Sequence, residues 1–130
     1  MFDTIIHNGT IVTVNSDFDI IADGILCISQ GKIVREEKLW ENSFLPDAEQ
    51  IVDAGGGIIM PGLVNTHTHL PMSIFRGLAD DLPLMEWLNG HIWPSEAAHV
   101  GPDFVRDGSR LAMAEMLRSG TTCFNEMYFF

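Results

Sequence analysis

An apolar run, Ile58-Ile59-Met60-Pro61-Gly62-Leu63-Val64, passes into Asn65-Thr66-His67-Thr68-His69-Leu70 and so ends on a His-x-His pair. The run predicts a buried strand, introduced by the Pro61-Gly62 turn, with the polar residues at its C-terminal end. Side chains two apart on a strand share a face, so His67 and His69 can present their ring nitrogens to one point while Thr68 faces the other way. Two imidazoles aimed at one point suit a metal ion. Taken alone, the pair is more ordinarily two histidines on a strand, because neutral imidazole serves equally as a surface or core side chain.

The chain has 130 residues, 46% of them hydrophobic and 19% charged, which is enough apolar material for a packed core and too little charge for a disordered chain. A formal net charge of -11 argues against nucleic acid or an anionic membrane as partner, since either needs clustered Lys and Arg. No basic segment precedes an apolar stretch at the N-terminus, and no uncharged run approaches the ~18 residues needed to span a bilayer. A cytoplasmic protein acting on a small molecule is the expectation. Cys27 and Cys123 are too few and too far apart for a disulfide framework or a four-thiolate zinc site, and are expected to be buried apolar thiols.

Before the His-x-His run, β signals dominate. Asn8-Gly9 divides two β-branched runs within Phe2 to Asn15 and predicts a hairpin, and Gln30-Gly31 predicts a second one between Gly24–Ser29 and Lys32–Arg35. His7, in the first of these strands, is expected to be a surface or hydrogen-bonded histidine. Glu36 to Gln50 is expected to form a loop, with room for a helical turn near Leu39-Trp40, before Ile51-Val52-Asp53 restores a β pattern. Ala54-Gly55-Gly56-Gly57 is a turn, because it lacks the Lys-Ser/Thr of a phosphate loop and no helix follows.

After His69 the pattern becomes helical. A loop or short helix over Pro71 to Asp81 leads to two expected short helices, about Leu84 to Asn89 and Ser95 to Val100, with Ser95 as cap or Pro94 in the first turn of the second. Phe104, Val105, Gly108, Leu111, Ala112 and Met116 follow the 3.6-residue period of an amphipathic helix over Asp103 to Ser119, which Gly120 can close. Met113 and Met116 are expected in its packing. Thr121 to Met127 favours β, so strand, helices and strand make a βαβ unit, right-handed in nearly all parallel sheets.

The segment Pro61-Gly62-Leu63-Val64-Asn65-Thr66-His67-Thr68-His69 resembles the first barrel strand of the amidohydrolase superfamily. Together with Phe75-Arg76-Gly77-Leu78-Ala79-Asp80-Asp81-Leu82-Pro83-Leu84-Met85-Glu86-Trp87-Leu88 and His91-Ile92-Trp93-Pro94-Ser95-Glu96, it looks like the 5-methylthioadenosine/S-adenosylhomocysteine deaminases and their chlorohydrolase relatives. The resemblance covers essentially the whole chain. It implies an α/β fold: a small β-sandwich segment over 1–57, and over 58–130 the first βα units of a (β/α)8 TIM barrel that is incomplete here.

It further implies one divalent metal, zinc, held by His67 and His69 with a later His and Asp, and a substrate-binding role for Glu96 at the ribose hydroxyls. Neutral imidazoles can hold zinc while leaving room for water, whose pKa then falls to roughly 7, ready to attack adenine C6 and release ammonia. A carboxylate can accept two vicinal hydroxyls as charge-assisted hydrogen bonds. Without the resemblance, Glu96 would be a solvated acid at a helix start. A complete barrel needs typically ~250 residues, so the acid–base residues are expected downstream of Phe130 and the partner is a second copy or the remainder of the enzyme. His91 and His99 lie in the helical excursion and are not candidates. A triazine-type aminohydrolase or chlorohydrolase, and a non-catalytic scaffold on the same partial fold, are the competing expectations.

Overall fold

The computed structural model describes residues 1–40 and 43–129. The chain divides into two compact units, Met1–Pro61 and Gly62–Phe130.

The first unit is one mixed sheet. Strand β1 (Phe2–Val12) pairs antiparallel with β2 (Ile20–Ser29), which pairs antiparallel with β3 (Lys32–Lys38). On its other side β1 carries two parallel neighbours in succession, β4 (Ala48–Asp53) along Phe2 to His7 and β5 (Ile58–Ile59) along Thr10 and Ile11. The β2–β3 hairpin turns at Gln30-Gly31 as expected, both with positive φ (52° and 70°). The hairpin expected at Asn8-Gly9 does not form. Asn8 takes φ 57° inside a continuous strand, at irregularities of the β1–β2 register that absorb it as a bulge. β4 and β5 then line one edge of the unbroken strand.

Alternation along the strands puts Ile5, Ile25 and Cys27 in the core on one face, packed by Phe2, Leu39, Leu45 and Ala48. Burial raises the pKa of the Cys27 thiol. Leu39 and Trp40 are not helical, and Glu41 and Asn42 lie outside the described residues. Residues 54–57 form the expected turn, tied by the Gly55 N–H donating to Asp53 Oδ1 at 2.8 Å.

The run taken as one buried strand is two elements. Ile58 and Ile59 belong to the first sheet, and the His-x-His segment is β6 (Leu63–Thr68) in the second unit. Only Thr68 of β6 is buried, because among the described residues this strand pairs with β7 (Thr121–Glu126) alone. The pairing is parallel, as the βαβ expectation requires. Cys123 on β7 is exposed rather than buried, for the same reason.

Between these strands run a 3-10 segment (Leu70–Phe75), helix α1 (Leu84–Trp87), a π segment (Leu88–Ile92), α2 (Trp93–His99) and α3 (Pro102–Arg118). The two expected short helices are thus joined into one helical run. Pro94 sits in the first turn of α2, one of the two expected arrangements, where a missing N–H is tolerated. Ser95 is not a cap. Helix α3 meets the 3-10 segment through Gly108 and Ala112, its two buried residues, while Phe104 stacks on Phe75 at 4.9 Å. Leu111, expected on the packed stripe, is 46% exposed. Gly120, at φ 88°, reverses the chain into β7.

Candidate active site

The strand ladder carries the chain to the histidines, His67 on β6 and His69 just past its end. Thr68 is buried and donates its hydroxyl toward Asn125 O and Glu126 Oε2 on β7, at 2.9 and 3.1 Å. His67 and His69, on the alternate positions, both face outward. Their Nε2 atoms lie 3.1 Å apart, with ring planes at 71°. Two ligands of one tetrahedral ion at ~2.0–2.1 Å are separated by roughly 3.3 Å. The pair therefore fits a shared ion with both Nε2 atoms deprotonated. Among the described residues no cluster of three His, Cys, Asp or Glu side chains could hold a metal. His91 is half-buried in the π segment and His99 exposed at the end of α2.

Beside His69 opens a mainly apolar cleft of about 310 Å³, walled by Met72, Trp87, Trp93, Tyr128 and Phe129 and carrying the carboxylate of Glu96. The Tyr128 hydroxyl donates to Glu96 Oε1 at 2.7 Å. Burial first, and then this contact, push the Tyr128 phenol well above its ordinary value, so it stays a donor. Its ring meets that of His69 edge-on at 6.2 Å and packs on Phe129 at 4.6 Å. Among the described residues no side chain donates to Glu96 Oε2, which leaves that oxygen to accept from a ligand. The Trp87 indole N–H donates to Leu78 O at 3.0 Å and ties the preceding loop to this wall.

The structure thus gathers the three residues singled out in the sequence into one unit: His67 beside His69, and Glu96 on the cleft that His69 lines. Tyr128 and Glu126 were not singled out. Tyr128 lies just past an expected strand. Glu126, an acid within a β-favouring segment, is the one signal the sequence offered.

The sequence profile of the amidohydrolase family matches residues 58–130. The chain is 48% identical over 130 residues to 5'-deoxyadenosine deaminase of Methanococcoides burtonii, covering 100% of this chain and 29% of that protein. It is 50% identical over 128 residues to 5-methylthioadenosine/S-adenosylhomocysteine deaminase of Lawsonia intracellularis, covering 98% and 29%. In three dimensions it superposes on an adenosine deaminase from Xanthomonas campestris with bound zinc at a TM-score of 0.92 and 47% identity, over 99% of this chain and 29% of that one. The chain therefore spans under a third of the length of these relatives.

Proposed function

The chain belongs to the amidohydrolase family, its fold is the N-terminal part of that family's barrel enzymes, and from this premise we propose that it is part of a metal-dependent deaminase of adenine nucleosides. The substrate is an adenosine altered at its 5' position, such as methylthioadenosine, S-adenosylhomocysteine or 5'-deoxyadenosine, and the products are the inosine analogue and ammonia. One observation carries this reading: a carboxylate, Glu96, held by Tyr128 at 2.7 Å, lies on the same apolar cleft as His69.

His67 and His69 would hold one divalent ion, zinc. When bound, such an ion acidifies water toward neutrality for attack at the amidine carbon of adenine. The chain's own residues bind and orient. Glu96 accepts the ribose 2' and 3' hydroxyls, whose charge-assisted bonds discriminate a ribonucleoside from a free base. Tyr128 donates to one carboxylate oxygen and leaves the other toward the cleft. Trp87, Trp93 and Phe129 exclude water from the nucleoside and offer it apolar contact. The remaining metal ligands and the proton-transfer groups come from outside this chain, in the rest of the enzyme or a second copy, and a cytoplasmic location goes with this reading.

Diol and 2',3'-dideoxy substrates test it in the intact enzyme. Glu96→Ala should weaken kcat/KM for the diol by about 2 to 4 kcal/mol, as when one partner of a charge-assisted bond is removed, with metal content unchanged. The dideoxy substrate should be poor for the parent enzyme and hardly poorer for the variant. Equal losses for both substrates, or loss of zinc, would refute the assignment of Glu96 to the ribose.

A further inference from the structure

Among the described residues of the second unit, the Glu126 carboxylate is the most heavily used side-chain acceptor. Its Oε2 receives the Leu70 N–H at 2.7 Å and faces the Thr68 hydroxyl at 3.1 Å. Its Oε1 receives the N–H groups of Met127 and Tyr128 at 2.8 and 2.9 Å. The site lies where the parallel ladder stops, at the Thr68–Glu126 register position, beyond which the two chains leave each other. Amides there have no strand partner, and a buried N–H left unpaired is costly. The carboxylate collects three of them.

What this collection surrounds is His69. The Thr68 and Leu70 residues on either side of it are buried, at 7% and 5% exposure. His69 itself keeps a strand-like φ of -129° but has ψ 66°, well off strand values, so the ladder does not set its direction. The bonds at residues 68 and 70 do. The same carboxylate fixes the amide of Tyr128, whose ring stands edge-on to that of His69.

We propose that Glu126 is a positioning residue for the metal-binding pair: it holds the Thr68 hydroxyl on one side of His69 and the Leu70 amide on the other, and thereby aims the His69 imidazole at the point it shares with His67. This rests on reading His67 and His69 as metal ligands. Partners that orient ligands are commonly worth 10-fold to 100-fold in metal affinity.

The test uses zinc alone, with affinity read by chelator competition on the intact protein, together with NMR of the metal-free form. Glu126→Gln puts an amide nitrogen in place of one acceptor oxygen, and zinc affinity should fall by about 10-fold to 100-fold with the circular dichroism retained. Thr68→Val should give a smaller loss that does not add to the first. Ala112→Gly, which weakens α3 away from this clamp, should leave zinc affinity as it was. In metal-free protein the Leu70 amide should exchange slowly, and Glu126→Gln should move the His69 ring resonances while leaving those of His91 in place. Zinc affinity within twofold of the parent in Glu126→Gln would overturn the proposal. If Glu126→Gln does not fold, Leu70 exchanging as fast as loop amides, or Thr68→Val binding zinc like the parent, overturns it. If the parent protein takes up no zinc, the metal reading fails separately, and unmoved His69 resonances in Glu126→Gln would then refute the clamp itself.

Discussion

Substituting Gly108 by alanine sets two effects of known size against each other. A Cβ at this position would lie 2.6 Å from Pro71 O, 2.8 Å from Pro71 Cα and 3.1 Å from Ile74 Cδ1, against an ordinary contact of 3.4 Å or more. In a free helix the change would be favourable by about 1 kcal/mol. Here the two closest obstacles are backbone atoms of a buried proline, which cannot swing aside as a side-chain tip can. Overpacking of this kind costs typically 1–3 kcal/mol. With three contacts too short, the upper part of that range applies, and the net result is a loss of about 1–2 kcal/mol. Gly90, in the π segment, has nothing within 4 Å of its Cβ position, so the same substitution there should gain about 0.5–1 kcal/mol. Urea unfolding followed by tryptophan fluorescence reads both as shifts of midpoint at constant slope. A neutral or stabilising Gly108→Ala would show that α3 and the 3-10 segment do not approach as described.

Two further outcomes follow from the described geometry. The Asp53 carboxylate is held below the usual carboxylate range, first by the Gly55 N–H and then by the Asn8 amide; a depressed pKa contributes stability above the unfolded value near 4 and loses it as pH falls through the folded one. Acid titration should therefore release the Gly55 amide below about pH 4, and Asp53→Asn should abolish that transition in an NMR titration. The purified 130-residue chain should release no ammonia from methylthioadenosine in the presence of zinc, because only two ligands are gathered among its described residues; measurable release would refute the reading of an incomplete site.

What could be read from the sequence was local. The Gln30-Gly31 hairpin, helix α3 with its closing glycine, the parallel return into β7 and the paired histidines all depend on signals within a few residues. Asn8-Gly9 misled because the same dipeptide serves a turn or a bulge, and the choice was made by β4 and β5, which pair with β1 from more than forty residues away. The short helices were legible, with Pro94 in the first turn of the second, but the π segment that joins them was not. The partners of Glu126 and Tyr128 could not be foreseen. Thr68 and Leu70 lie 58 and 56 residues from Glu126, and Glu96 lies 32 from Tyr128. No periodicity relates such positions.

The π segment also acts as a phase shifter. An i→i+5 turn takes up about one residue more than an α-turn, so everything beyond it is rotated by roughly 100° relative to a straight helix of equal length. Ile92 is driven inward and Glu96 comes round to the cleft beside His69. A chain one residue shorter between Leu88 and Ile92, running as plain α-helix, would bring Glu96 to the same face, whereas plain α-helix of the present length would put Ser95 where Glu96 now stands. Alignments of related chains through this stretch should accordingly be judged by helical register as well as by identity, since a single gap there can be the difference between a π turn and an α-turn with the carboxylate kept in the cleft.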